Sequence, residues 1–302
     1  MILFCAVVAA QSRHEFLFDC GSGISSLNYS TTIGNQKIGF GWQGGVTYKL
    51  FYSDKISFGS GIQFMQFRSI FDMSNLYFSY MTQDRDNDNF EFRSRVTNYQ
   101  EQQRLLQLQI PLMIQYQIGN IRMFYSAGGI KMGVPLLGKY LNSGGNIINS
   151  GYYSEENYEY TMQRFMGFGT FDISENSGSL NFKIAYSLSL EAGIKLNRGS
   201  LPDKYRADRL AIYAGAYFDY VLNNIFKSNN EMAHSQPRFV EYEPNMYDYK
   251  INSISLSNNE NQLISPKMHP FAIGIKLKVA FGVGTSLARG EYPFFRRLPL
   301  YR

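Results

Sequence analysis

The sequence predicts an all-β fold, an antiparallel up-and-down transmembrane β-barrel of about eight strands with long extracellular loops. Three observations predict it. Apolar and polar residues alternate over runs of about a dozen residues, twice the length of an ordinary strand. The connections between those runs are alternately short and long. The 302 residues also contain no apolar run of about 20 after the N-terminus, so no helix is available to cross a bilayer.

The clearest run is LLQLQIPLMIQYQI, residues 105–118. Leu106, Leu108, Ile110, Leu112, Ile114, Tyr116 and Ile118 fall on one face, and Gln107, Gln109, Gln115 and Gln117 on the other. Pro111 falls in the polar register, where it removes a ladder donor, so a bulge or bend is expected around it. The same alternation recurs at 38–50, 56–67, 180–196, 209–222 and 271–283, and more weakly at 14–26 and 122–134. A two-residue Gly119-Asn120 turn would send Lys131 to the apolar face, so a longer turn or a bulge is expected there.

The intervening segments at 68–103, 135–179 and 223–269 are the expected surface loops. Compact soluble domains rarely carry structureless loops of about 30 to 45 residues, whereas outer-membrane barrels do so on their extracellular side. An even strand count places both termini in the periplasm. A soluble β-sandwich is the alternative, but its strands are shorter and its polar face carries solvent-type charge. Here that face is mainly Gly, Gln, Ser and Ala.

Composition agrees. Aromatic residues make up 16% of the chain and charged residues 18%, and the net charge is +5. Lys and Arg are scattered rather than clustered, so nucleic acid is not an expected partner. Residues 1–10, MILFCAVVAA, read as the apolar part of a signal peptide cut after Ala10, with the true start upstream. The barrel is expected over 11–285 and a periplasmic tail over 286–302. Cys20 then remains as the one cysteine, without an intramolecular disulfide.

The segment LLQLQIPLMIQYQIGNIRMFYSAGGIKMG, 105–133, resembles the central hairpin of PorT-type outer-membrane β-barrels. KIAYSLSLEAGIKL, 183–196, resembles the following strand of that family. The resemblance covers about 14–285 and rests on structural motifs, specific for the fold and weak for activity. It implies an outer-membrane barrel and points toward a component of protein secretion or surface export.

Several candidate sites follow. The strand registers direct Glu15, Asp19, Lys49, Lys131, Lys183, Glu191, Lys195, Asp219, Lys276 and Lys278 into the lumen. A barrel this narrow is filled by its own side chains, so these charges are expected to pair; a selective channel is the competing reading. Asp84, Asp86 and Asp88 are spaced like a calcium loop, but Asn89 and Arg95 stand where an EF-hand requires Gly and Glu, which favours a solvated loop. Tyr152, Tyr153, Tyr158, Tyr160, Tyr242, Tyr247 and Tyr249 give the loops a partner-binding character, set against mutual packing. In the tail, Tyr292, Phe294, Phe295, Arg296 and Arg297 suit a periplasmic protein or headgroups, set against a frayed terminus. With only three histidines and no Ser-His-acid set, the chain is read as a non-enzyme without cofactors. The expected role is an accessory subunit of an envelope assembly, embedded in outer-membrane lipid and lipopolysaccharide. The alternatives are a stand-alone adhesin or receptor, a small-solute channel and a lipid-modifying enzyme.

Overall fold

The computed structural model describes residues 14–31, 33–53, 55–119, 122–173, 175–197, 210–227, 238–254 and 267–283. Their strands are β1 (His14–Ser26), β2 (Asn35–Phe51), β3 (Ile56–Gln83), β4 (Asn89–Ile118), β5 (Arg122–Ser143), β6 (Asn146–Tyr153), β7 (Tyr158–Tyr160), β8 (Gly169–Asp172), β9 (Asn176–Ser179), β10 (Ala185–Asn197), β11 (Leu210–Val221), β12 (Val240–Glu243), β13 (Asp248–Ile251) and β14 (Phe271–Val283). Eight of them close a ring in the order β1-β2-β3-β4-β5-β10-β11-β14 and back to β1, every pairing antiparallel. The closing seam runs from His14 opposite Val283 to Ser26 opposite Phe271. No open edge remains around the ring, which is how a sheet survives without water on its outer face.

The alternation does what a one-sided strand requires. Phe16, Phe18, Phe40, Val46, Ile62, Leu112, Ile114, Phe124, Ile130, Leu190 and Ile275 all point outward and are exposed. Gln43, Gln63, Gln107, Gln109, Gln115 and Gln117 point inward and are buried. Ile118 pairs with Phe124, so the β4–β5 connection is longer than two residues and Lys131 stays inside.

Pro111 acts differently from the sequence expectation. The β4 register is unbroken around it, and the β4–β5 irregularity lies instead at Leu106/Gln107. The β3–β4 ladder omits two pairs, Gly61–Pro111 and Ile62–Ile110, without any shift. Both pairs depend on one bond, an N–H at position 111 given to the Gly61 carbonyl, which proline does not have.

The spans expected as loops contain further strand. β3 and β4 continue past the ring as one hairpin to Gln83 and Asn89. Over 30 residues, β4 extended at about 3.4 Å per residue would reach about 100 Å, far more than the ring uses. Span 135–179 holds the end of β5 together with β6, β7, β8 and β9, and span 223–269 holds the β12–β13 hairpin. β6 takes over from β5 as the partner of β4, in the same register, after a two-residue gap at Gly144-Gly145.

That gap belongs to a crease across three strands. Asn98 has φ +54°, and Gly144 and Gly145 have φ +70° and +101°. On β3 the ladder skips Ser74, opposite Asn98. Below the crease the odd residues of β4 are buried, up to Tyr99; above it the even ones are, from Val96 to Phe90. β3 changes parity in the same place, between Met73 and Leu76. The crease thus reverses the buried parity of β3 and β4, and the strands above it form a head whose apolar core continues into the barrel mouth through Phe67, Phe71 and Leu105. Residues 1–10 and the tail at 286–302 lie outside the described residues.

Candidate functional site

Two interiors are available for function, the barrel lumen and the head. In the lumen, Glu15, Asp19, Lys49, Lys131, Glu191, Lys195, Asp219, Lys276 and Lys278 are all buried. Lys131 pairs with Asp219 at 2.9 Å, and Lys195 with Glu15 at 3.0 Å. Lys276 bridges Glu191 at 2.8 Å and Asp19 at 3.3 Å, and Lys278 also contacts Glu191. Neutral donors complete two of the carboxylates: Tyr213 Oη donates to Glu15 Oε2 at 2.8 Å, and Gln63 Nε2 to Asp19 at 3.1 Å. Lys49 donates to Gln115 Oε1 at 2.7 Å and lies 4.5 Å from the Tyr213 ring centre. The cavity between Lys49, Gln63, Gln115, Lys131, Glu191 and Lys278 measures about 30 Å³, room for a water or two.

Lys183 departs from the expected set. It precedes β10, is exposed, and gives its backbone N–H to the Ile225 carbonyl at 2.8 Å. The alternation of 180–196 does not extend that far, because Phe182 bridges Phe226 and regular pairing begins at Ala185.

The head is built on aromatic rings. Phe90 stacks on Tyr153 at 5.0 Å and meets Tyr242 edge-on at 5.2 Å and Phe168 at 5.7 Å. Phe92 joins them through Tyr242 at 5.5 Å and Tyr80 at 5.4 Å. Tyr80 Oη accepts from the Tyr242 N–H at 2.8 Å and donates to the Val240 carbonyl at 3.3 Å, and the Arg238 guanidinium covers its ring at 3.6 Å. These contacts clamp the β12–β13 hairpin over the β3–β4–β6 sheet. Burial, with Asp84 nearby, pushes the Tyr242 phenol up to about 12.

Tyr153 and Tyr242 are therefore core rather than contact surface, a correction to the partner-binding set. Tyr152, Tyr160, Tyr247 and Tyr249 are half-buried and Tyr158 is exposed. Tyr292, Phe294, Phe295, Arg296 and Arg297 lie outside the described residues.

The acidic turn is a structural cap. Asp84 Oδ1 accepts the Asp86 and Asp88 N–H groups at 2.9 and 3.0 Å, and Oδ2 accepts the Tyr153 hydroxyl at 3.0 Å. Burial and this bond to Asp84 hold the Tyr153 phenol well above its usual range. Asp84, Asp86 and Asp88 do not converge on a cation, and no cluster of three or more His, Cys, Asp or Glu fit for a metal occurs among the described residues.

Glu101 is a buried charge absent from the expected set. Its carboxylate accepts Ser253 Oγ and Tyr99 Oη at 2.6 Å each, Gln103 Nε2 at 2.8 Å and the Ile254 N–H at 3.0 Å. It ties the segment after β13 into the barrel mouth. Its odd number was the available signal: it shares the inward parity of Gln103, Gln107 and Gln109. Reading 68–103 as loop hides it.

The outer surface of the head has its own character. Met162, Phe165 and Met246 are 85%, 74% and 74% exposed. Phe165 sits in a short 3-10 turn, Arg164–Met166, and Gly167 after it adjoins the Tyr247 and Asp248 backbone. Tyr247 has φ +49°, unusual for a bulky residue, in the turn that presents Met246. Over 76–97, 144–182 and 238–254 there are twelve Asp and Glu against six Lys and Arg, in a chain of net charge +5.

No family model and no curated protein matches the chain. The PorT-type likeness of 105–133 and 183–196 thus stays a resemblance. Among solved structures the chain is similar to Neisserial surface protein A, at 8% identity and TM-score 0.31, covering 88% of this chain and 96% of that one. A likeness this distant adds nothing to the ring of strand pairings. The ring itself defines the class: a closed eight-stranded antiparallel β-barrel with a β-rich head.

Proposed function

We propose that this chain is an outer-membrane β-barrel that works through its head, as a non-enzymatic contact subunit of an envelope assembly in secretion or surface export. The observation that carries the reading is the reversal at the crease. Below it the chain is apolar outside, and inside it is charged, with apolar residues such as Phe67, Phe71 and Leu105 only toward the mouth; an apolar outer wall is what lipid requires. Above it the chain is aromatic inside and acidic outside, as water requires. Trp42, the one tryptophan, donates Nε1–H to Gln66 Oε1 at 2.9 Å on the outer wall, in keeping with an interfacial aromatic.

The packed lumen supports a contact role over a solute path. The exposed Met162, Phe165 and Met246 within an acidic surround suit a protein partner with basic and apolar groups, and equally support a receptor acting alone. Cross-linking in native outer membranes, followed by purification in mild detergent and mass measurement, decides between them. A defined set of envelope proteins cross-linked through the head is the expected result. A lone barrel that binds a ligand through the same residues would replace the subunit reading with the receptor one. Absence from the outer-membrane fraction would overturn both.

A further inference from the structure

On the outer wall, at the upper edge of the apolar band, three cations stand in one row on adjacent strands. Arg68 of β3 is directly opposite Arg104 of β4, and Arg104 is directly opposite Lys139 of β5. All three face outward: the buried positions beside them are Phe67 and Ser69, Gln103 and Leu105, and Tyr140. Like charges directly opposite one another on a sheet repel.

Nothing in the described residues offsets that repulsion. None of the three forms an ion pair among them. Arg104 donates only to the neutral Gln102 Oε1, at 2.8 Å from Nε, and the buried Arg68 Nε has no partner. The nearest outward carboxylate on these strands, Asp72, is already engaged by Lys37 and by Gln100 Nε2 at 2.7 Å. The row ends without acid at either side, at Gly39, which packs too closely on the Arg68 backbone to carry a side chain, and at Ser179 opposite Lys139.

The surroundings say which anion fits. The outward residues just below are Gln66, Leu106 and Leu137, aligned on the same three strands, and Trp42 is bonded to Gln66. Below these the wall is apolar through Phe64, Ile110, Leu112 and Ile114. A cationic row over an apolar wall matches an amphiphile with phosphate above and acyl chains beneath. We infer that Arg68, Arg104 and Lys139 form a binding site for the phosphate groups of a lipopolysaccharide-type glycolipid in the outer leaflet. The inference rests on the outer-membrane reading given above.

The test uses the full chain, refolded or purified in neutral detergent, with diphosphoryl lipid A as the probe. Wild type is expected to bind lipid A and to gain thermal stability from it, with both effects weakening as salt rises. Arg68→Gln/Arg104→Gln/Lys139→Gln is expected to bind at least tenfold more weakly. The same triple variant is expected to melt higher than wild type in neutral detergent without lipid, because the repulsion is gone. Arg104→Gln alone keeps two cations and covers the case in which the triple variant fails to fold; a loss of several-fold is expected.

Equal binding by wild type and the variants would overturn the site. So would displacement of lipid A by millimolar inorganic phosphate, which would mark a free-anion site. Failure of the chain to insert into lipid vesicles would instead overturn the membrane reading itself, a result visible without lipid A.

Discussion

The lumen and the head solve the same problem, filling a closed interior, with opposite materials. The lumen is filled by Lys131–Asp219, Lys195–Glu15 and the Lys276–Glu191–Lys278 group. The head is filled by Phe90, Phe92, Phe168, Tyr153 and Tyr242. The difference follows from what lies outside each. A strand gives one face to each side, and in the barrel the outer face already takes the apolar residues. Polar side chains are left for the inside, and in a narrow barrel they must satisfy one another. The head packs in the ordinary sense, with its apolar rings inside and its charges outside. One backbone passes between the two regimes by flipping parity at Ser74, Asn98 and Gly144-Gly145.

The comparison makes the lumen brittle and the head modular. The largest expected effect is therefore that of Glu191→Ala, which strands Lys278 inside the barrel and leaves Lys276 only its longer contact with Asp19. Removing one partner of a buried pair costs about 3–5 kcal/mol, and here one cation loses its partner while a second loses the nearer of two. Urea unfolding of the refolded barrel should show a loss at or above that range, in a single transition. A loss under about 1 kcal/mol would mean that the lumen is solvated, and would reopen the channel reading.

Phe90→Ala comes next. Deleting a buried phenyl ring costs about 3–5 kcal/mol, and this ring touches Tyr153, Phe168 and Tyr242. The cost should fall on the head alone. Hydrogen exchange should speed up in β6, β12 and β13 while β1, β11 and β14 keep their protection. Uniform loss across the ring strands would show that head and barrel are one cooperative unit, and would remove the distinction drawn between them.

Asp84→Ala is a smaller break in the head. It removes the acceptor of two N–H groups and of the Tyr153 hydroxyl. A loss of about 1–3 kcal/mol is expected, again confined to the head. Added calcium should leave the melting temperature of wild type unchanged, because both Asp84 oxygens are already engaged; a calcium-dependent rise would restore the metal reading.

Much of the barrel was legible in the sequence, because an apolar outer wall and a polar interior print a strict period of two on each strand. The inward residues at Glu15, Asp19, Lys49 and Lys131 follow from counting along that period. Lys183 was misplaced because alternation continues in the letters after pairing has stopped. The head was not legible for the opposite reason. Phe90, Phe92, Ser94 and Val96 alternate as cleanly as the barrel does, but on the other parity, and one residue at Asn98 accounts for the change. A reader who extends the barrel's register past the crease puts every ring on the wrong face, and one who stops there sees only loop. Glu101, just below the crease on the barrel's own parity, is found by extending the register that far and is lost only when 68–103 is read as loop.

Pro111→Thr is the smallest expected effect and has the opposite sign. Position 111 faces the lumen, so a threonine side chain there meets a polar interior rather than the apolar outer wall. Its new N–H is aimed at the Gly61 carbonyl, the acceptor that the β3–β4 ladder now leaves without its donor. One added backbone hydrogen bond contributes about 0.5–1.5 kcal/mol net, less what the freer threonine backbone costs in the unfolded chain. The barrel should therefore unfold at slightly higher urea, and the amide at position 111 should exchange slowly. A destabilised variant would mean that the proline's own shape packs against Gly61 or Met113, and that the interruption in the wall is filled rather than tolerated.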